Sequence, residues 1–107
     1  MQRDRALNHL AAIRRDLNRL TGLERFWSDD TFLPDDRTGY RAEWDNTLDR
    51  FAAVVRAYAD GQLDDDVAVE LVDIANLLAT FAPTLDRMQL RQPSPDDLRR
   101  LGILSAA

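Results

Sequence analysis

The chain has no cysteine, so it contains no disulfide, no thiolate metal ligand and no cysteine nucleophile. His9 is the single histidine, which leaves one side chain for imidazole chemistry. Long apolar runs are also missing, because none reaches the roughly 18 residues that cross a bilayer, and the first residues lack a signal peptide's continuous apolar segment. We therefore predict a cytoplasmic protein without a membrane span, without a metal centre and without a cofactor.

Lysine is absent as well: all 14 basic residues are arginine, and 16 of the 19 acidic residues are aspartate. Arginine forks pair well with carboxylates, although a biased genomic base composition is the simpler explanation. The acidic residues concentrate in residues 26–73, which carry 13 acids against four arginines, and the net charge is −5. A negative chain disfavours broad contact with nucleic-acid phosphates and favours a protein partner with a basic surface.

Hydrophobic spacing predicts an all-α fold in a single domain covering residues 1–107. The prediction is a small helical bundle of three long helices, followed by one or two short C-terminal helices. The first long helix is predicted over Gln2–Leu20 and ends at Thr21-Gly22, since glycine accepts the left-handed C-cap at little cost. The second is predicted from Thr38 or Gly39 to Asp60 and ends at Gly61. The third is predicted to run from a cap at Asp64 or Asp65 to Phe81 or Ala82. Pro83 predicts either a kink in the third helix or, as the favoured alternative, a separate helical turn. Ser94-Pro95 predicts the start of a last short helix, which Gly102 ends, because serine caps helices and proline suits their first position.

The segment Val67–Phe81 is the most apolar part of the chain. Its only polar residues are Glu70, Asp73, Asn76 and Thr80. A helix that is apolar around most of its circumference must be covered on several sides, by its own bundle or by a second copy. This segment is therefore predicted to be the central helix, with Leu71, Ile74 and Leu78 in self-association. The chain is predicted to be a homo-oligomer or a subunit of a larger assembly.

The connector Leu23–Thr38 is rich in aromatic and acidic side chains. Such aromatics either cover one end of a bundle or, where they are exposed, mark a contact surface. The residues predicted to bind a partner are Phe26, Trp27, Asp29, Asp30, Phe32, Leu33, Asp35 and Asp36. The favoured function is a non-enzymatic protein-protein interaction module, such as an accessory or regulatory subunit, an adaptor or an inhibitor, with no catalytic residue.

Glu70 and Asp73 support an alternative hypothesis. Their spacing places two carboxylates on one helical face, where they could help to hold Mg²⁺. The segment 70–79 resembles the second metal motif of the all-α MazG-type nucleoside triphosphate pyrophosphohydrolases, and the resemblance implies Mg²⁺-dependent hydrolysis. The first motif of that family, E-x-x-E, has no full counterpart, since Asn46 stands three positions after Glu43.

A second alternative depends on Arg3 and His9. The segment 3–9 fits the R-x(4-6)-H pattern of HEPN ribonucleases, and the resemblance implies RNA cleavage by a site built across a dimer. In that family the arginine and histidine act on an RNA 2′-hydroxyl and its phosphate. A surface histidine is the ordinary alternative for a motif this short.

Overall fold

The computed structural model describes residues 1–28 and 32–103, and over these residues the fold is all-α with no strand. Three longer helices precede two helices of six residues each. The five helices are α1 (Arg3–Glu24), α2 (Pro34–Ala59), α3 (Asp65–Thr80), α4 (Ala82–Arg87) and α5 (Pro95–Arg100). Within the described ranges, no helix combines the length and the hydropathy that a membrane crossing requires.

The central element is α1, and not the third helix as predicted from its apolar sequence. α1 packs against both α2 and α3, which contact each other much less. Its buried stripe explains this position, because Leu10, Ile13 and Leu17 recur at helical spacing and are fully covered. The Cα positions span 46 × 34 × 17 Å, so the molecule is flat.

The predicted self-association residues lie in the core of the single chain. Leu71, Ile74 and Leu78 are fully buried by helices of the same molecule. In this conformation they are not available to a second copy, so the assignment of these three residues to self-association has no surface to act through. The outer face of α3 is less apolar, and Val69 is its most exposed large hydrophobic residue at 63 %.

The connector between α1 and α2 is shorter than predicted. α1 continues through Gly22 to Glu24, and Gly22 does not adopt the left-handed backbone of a C-terminal cap. α2 begins at Pro34 because proline suits the first helical position and the Asp36 carboxylate accepts the Leu33 N–H at 3.1 Å. This early start turns part of the predicted connector into the first turn of α2.

The remaining boundaries follow the predicted signals closely. Gly61 and Gly102 have positive φ angles and follow the ends of α2 and α5. Pro83 lies in the first turn of the separate helix α4, and α5 begins at Pro95. Ser94 occupies the cap position in an extended conformation, although its hydroxyl makes no capping hydrogen bond.

Candidate functional site

The structure divides the eight residues predicted for partner binding. Phe26 and Leu33 are largely exposed, at 53 % and 58 %, whereas Trp27 is only 6 % exposed and belongs to the core. Asp29 and Asp30 lie outside the described residues. The other three, Phe32, Asp35 and Asp36, lie around one shared groove.

Trp27 forms the centre of an aromatic cluster at the junction of α1 and α2. Its ring lies 5.3 Å from the Phe32 ring and 5.6 Å from the Tyr40 ring between centroids, the latter pair in an edge-to-face arrangement. Arg37 Nε donates to the Trp27 carbonyl oxygen at 2.7 Å, which ties the connector to α2. The rings of Trp27, Phe32 and Tyr40 therefore pack together and hold the connector against α2, and they do not form one solvent-exposed aromatic surface.

We call the shared groove, which runs between the end of α1 and the first turns of α2, the acidic groove. Its lining combines three apolar or aromatic side chains, three acids, one arginine and a glycine: Leu23, Phe32 and Tyr40; Asp35, Asp36 and Glu43; Arg19; and Gly39. The acids outnumber the single cation, so the net charge of the lining is negative. The groove has a volume of about 470 Å³. Asp36, Tyr40 and Glu43 share a face because they are separated by four and three residues along α2. The groove can thus receive an apolar side chain and a neighbouring cation.

Tyr40 and Glu43 were missed as site residues, since the helix was predicted to begin at Thr38 or Gly39. Starting α2 at Pro34 extends its face back to Asp36, and that face then includes Tyr40 and Glu43. The available signal was Pro34 followed by two aspartates, a pattern typical of the first turn of a helix.

Tyr40 lines the acidic groove, but its hydroxyl is buried. It has no hydrogen-bond partner among the described residues. Burial, followed by the negative charge of Asp16, raises the pKa of Tyr40 to about 12. Asp16 itself accepts a hydrogen bond of 2.6 Å from the Thr47 hydroxyl, which joins α1 to α2. The phenol therefore remains protonated at neutral pH.

A second pocket is lined by Trp27 of the aromatic cluster and is basic rather than acidic; we call it the arginine pocket. Its lining comes from the connector, α2 and the α4 region: Trp27, Ser28, Arg37, Arg41, Arg87 and Gln89. Its volume is about 320 Å³. The sequence reading did not identify it, because it pairs arginines on α2 with residues almost 50 positions later in the chain.

The MazG-like pair is held differently from a metal motif. Arg14 on α1 donates twice to Glu70 Oε1, from Nε at 3.1 Å and from Nη2 at 2.7 Å. Asp73 is exposed one turn later on α3. In residues 1–28 and 32–103 no three His, Cys, Asp or Glu side chains are grouped as metal ligands. Glu70 is therefore an ion-pair partner that fastens α3 to α1.

The HEPN-like pair is also separated by its contacts. Arg3 Nη1 donates to Asp66 at 2.8 Å, so Arg3 is engaged at the start of α3. Burial lowers the pKa of His9 below its ordinary 6.5, and the positive charges of Arg5 and Arg50 lower it further. His9 therefore lies near the positive charges of Arg5 on α1 and Arg50 on α2, whereas Arg3 is held by the Asp66 carboxylate of α3.

The acidic groove and the arginine pocket are defined by this geometry alone. Comparison of the chain with models of protein families, with curated proteins and with solved structures found no match.

Proposed function

We propose that the chain is a non-enzymatic interaction module that binds a protein partner through the acidic groove. The observation that carries this proposal is the joining of apolar and acidic side chains in one groove of about 470 Å³. Phe32, Asp35 and Asp36 contribute to it from the segment whose composition predicted a contact surface. Exposed Leu33 and Phe26 extend the apolar surface of the same connector.

The lining defines the chemistry of the partner. Leu23 and Phe32 offer apolar area, which supplies binding free energy when an aromatic or aliphatic side chain buries it. Asp35, Asp36 and Glu43 are exposed, so their charges act mainly on the association rate and on partner choice. The fitting partner presents an apolar side chain flanked by lysine or arginine.

The chain contains its own matched control for a test of this charge pattern. Asp35 and Asp36 follow Pro34 in the first turn of α2, and Asp96 and Asp97 follow Pro95 in the first turn of α5. The double variants Asp35→Asn/Asp36→Asn and Asp96→Asn/Asp97→Asn therefore remove the same charge from equivalent helix positions. Only the first pair lines the acidic groove.

The experiment measures capture of the partner from a cell extract by the immobilised chain, followed by crosslinking to identify the contacting peptides. We expect the α2 double variant to lose most of the capture at low ionic strength, the α5 double variant to retain it, and the crosslinked peptides to be basic. Equal capture by both variants, or crosslinked peptides without basic residues, would contradict the proposal.

The two enzymatic hypotheses give separate outcomes. Mg²⁺-dependent release of pyrophosphate from nucleoside triphosphates, lost in Glu70→Ala, would replace the proposal by the hydrolase hypothesis. RNA cleavage lost in His9→Ala would replace it by the ribonuclease hypothesis. The contacts of Glu70 with Arg14 and of Arg3 with Asp66 favour structural roles for these side chains.

Self-association remains part of the proposal, but on a different surface. With Leu71 and Ile74 buried inside one chain, the apolar surface that α3 leaves accessible comprises Val69 and Val72 beside Tyr58 of α2. Sedimentation of the wild-type chain at micromolar concentration, compared with Val69→Ser, measures whether this face joins two copies. An unchanged monomer in both samples would remove self-association from the account.

A further inference from the structure

We propose that the arginine pocket binds a phosphate group. This inference concerns a different site from the acidic groove and does not depend on the protein partner. Three guanidinium groups, from Arg37, Arg41 and Arg87, line one pocket together with the Trp27 and Ser28 side chains. Guanidinium groups bind phosphate oxygens through paired N–H donors, so this lining provides the donors that a phosphate requires.

Each arginine is held in place by one edge. Arg37 Nε donates to the Trp27 carbonyl oxygen at 2.7 Å, and Arg41 Nη2 donates to Gln89 Oε1 at 3.2 Å. The Arg41 guanidinium carbon also lies 5.8 Å from the centre of the Trp27 ring, within cation–π distance. These contacts orient the guanidinium planes before a ligand arrives, which lowers the entropy lost on binding.

Arg87 is oriented by the end of α1. Its Nε donates to Glu24 Oε1 at 2.7 Å, and its Nη2 donates to the Thr84 hydroxyl at 3.1 Å. Glu24 offsets one positive charge but does not itself line the pocket. Among the described residues, the Nη1 groups of Arg37, Arg41 and Arg87 have no acceptor, so within this part of the chain they remain able to donate to a ligand.

The charge of the pocket differs from the charge of the whole chain. The chain carries a net charge of −5, which disfavours general accumulation of anions at its surface. Within the described part of the chain, the side chains lining the arginine pocket include no acid. With the charge of Arg87 offset by Glu24, the charges of Arg37 and Arg41 remain, and two positive charges match the double negative charge of a phosphate monoester better than the single charge of a carboxylate.

Gln89 provides an independent sign of a functional position. Its φ angle is 56°, in the left-handed region, and it is the one non-glycine residue with a positive φ in the described ranges. Such strained backbone conformations concentrate at ligand sites. At this position, directly after α4, glycine is the usual residue, yet Gln89 supplies the carboxamide oxygen that holds Arg41.

The volume of about 320 Å³ lies at the small end of ligand pockets and exceeds the space that a bare phosphate fills. The phosphate can therefore come from two sources, either free inorganic phosphate or a phosphate ester on a small organic group. Inorganic phosphate and phenyl phosphate are the two probes that distinguish these sources, and acetate is the singly charged comparison.

The two tryptophans make the measurement specific, because only Trp27 lines the arginine pocket. Trp44 donates its indole N–H to the Arg91 carbonyl oxygen at 2.8 Å and serves as an internal reference. In ¹H–¹⁵N spectra of the intact chain, titration with inorganic phosphate or phenyl phosphate should shift the Trp27 indole signal and leave the Trp44 signal unchanged. Tighter binding of phenyl phosphate identifies an ester as the ligand, and equal binding identifies free phosphate.

Two substitutions of Arg41 test the role of the guanidinium. Arg41→Gln should weaken phosphate binding by roughly tenfold or more, the effect of losing a charge-assisted pair of hydrogen bonds. Arg41→Lys keeps the charge but removes the fork, so we expect it to recover only part of the affinity. Arg56→Gln is the matched control, since Arg56 is an exposed arginine of α2 outside the pocket.

The circular dichroism of each variant verifies that the helices are intact. Where Arg41→Gln does not fold, the indole titration of the wild-type chain decides the question by itself. The proposal is overturned when neither phosphate probe shifts the Trp27 signal, when both tryptophan signals shift alike, when acetate acts as strongly as phosphate, or when Arg56→Gln weakens binding as much as Arg41→Gln.

Discussion

Replacing Gln89 separates the stability of the fold from the function proposed for the arginine pocket. Gln89 has a φ angle of 56° and closes α4, with the Leu90 N–H donating to the Leu85 carbonyl oxygen at 2.8 Å. The left-handed backbone conformation costs a residue with a Cβ atom about 1–2 kcal/mol of conformational free energy, and glycine has no such cost. Glycine also makes the unfolded chain more flexible, which costs about 0.4–1 kcal/mol.

The informative comparison is between Gln89→Gly and Gln89→Ala. Both variants lose the acceptor for Arg41, so that loss cancels when their stabilities are compared. The difference between them reports the backbone alone, and we expect Gln89→Gly to be more stable than Gln89→Ala by about 1 kcal/mol. For a domain of this size, such a difference raises Tm by roughly 4–8 °C.

Urea denaturation followed by circular dichroism measures the difference, and titration with phenyl phosphate measures the pocket. Both variants should bind phosphate more weakly than the wild-type chain, because neither orients Arg41. Binding should therefore fall in both variants while stability separates them. A Gln89→Gly variant that is less stable than Gln89→Ala would refute the argument from backbone strain.

Three further changes test other parts of the structure. Ile74→Ala should lower the free energy of unfolding by about 2–5 kcal/mol. The loss should be equal at low and high protein concentration, because the contacts of Ile74 lie within one chain, and exposed Val69→Ala should change the free energy of unfolding by about 0.5 kcal/mol or less. A loss at Ile74 that depends on protein concentration would indicate an interface between chains. Tyr40→Phe should stabilise the chain by up to about 1 kcal/mol in urea titrations, since it removes a buried hydroxyl that has no hydrogen-bond partner among the described residues. A loss of stability would show that the hydroxyl does have a hydrogen-bond partner. Arg3 lowers the pKa of Asp66 from 3.8 to about 2. The stabilisation from this pair is therefore complete above pH 3.8 and is lost as the pH falls towards 2. In Asp66→Asn the free energy of unfolding should fall less steeply over this pH range, and an unchanged pH dependence would show that the pair contributes nothing.

The sequence was sufficient for the helical content and for most helix ends, because these depend on local chemistry. Gly61, Pro83 and Pro95 act through their own backbone restrictions and mark their boundaries without reference to the rest of the fold. Gly22 was misleading because a glycine inside a helix costs only about 1 kcal/mol, which the packing of the surrounding turns outweighs. Pro34 marks the start of α2 by the same chemistry that marks α5 at Pro95, a proline at the first helical position followed by two aspartates. The predicted start at Thr38 or Gly39 overlooked this signal.

The position of each helix in the bundle was less accessible from the sequence. The high apolar content of α3 suggested a central helix, yet α3 buries one stripe and leaves Val69 exposed. α1 is more polar on average but is covered on two sides, because its buried stripe faces both α2 and α3. Mean hydropathy thus predicts that a helix is packed, while the number of its neighbours depends on tertiary arrangement.

The two pockets also differ in how far local sequence predicts them. The acidic groove is built largely from one stretch of chain, so composition indicated Phe32, Asp35 and Asp36 before the fold was known. The arginine pocket joins Arg41 to Gln89 across 48 positions, and no local pattern links these residues. Its recognition required the α2 and α4 regions to be placed side by side.

Photo-crosslinking from Gly39 tests partner binding at the acidic groove most directly. Gly39 lines the groove, and a Cβ added there meets no atom within 4 Å, so a photoreactive phenylalanine analogue introduced at this position begins in open space. The same analogue at exposed Arg56, which lies near the end of α2 outside both the acidic groove and the Val69 face, is the matched control. The account predicts crosslinks from position 39 to a basic segment of one partner protein and none from position 56. Crosslinks to the partner from position 56 alone, or from neither position, would contradict it.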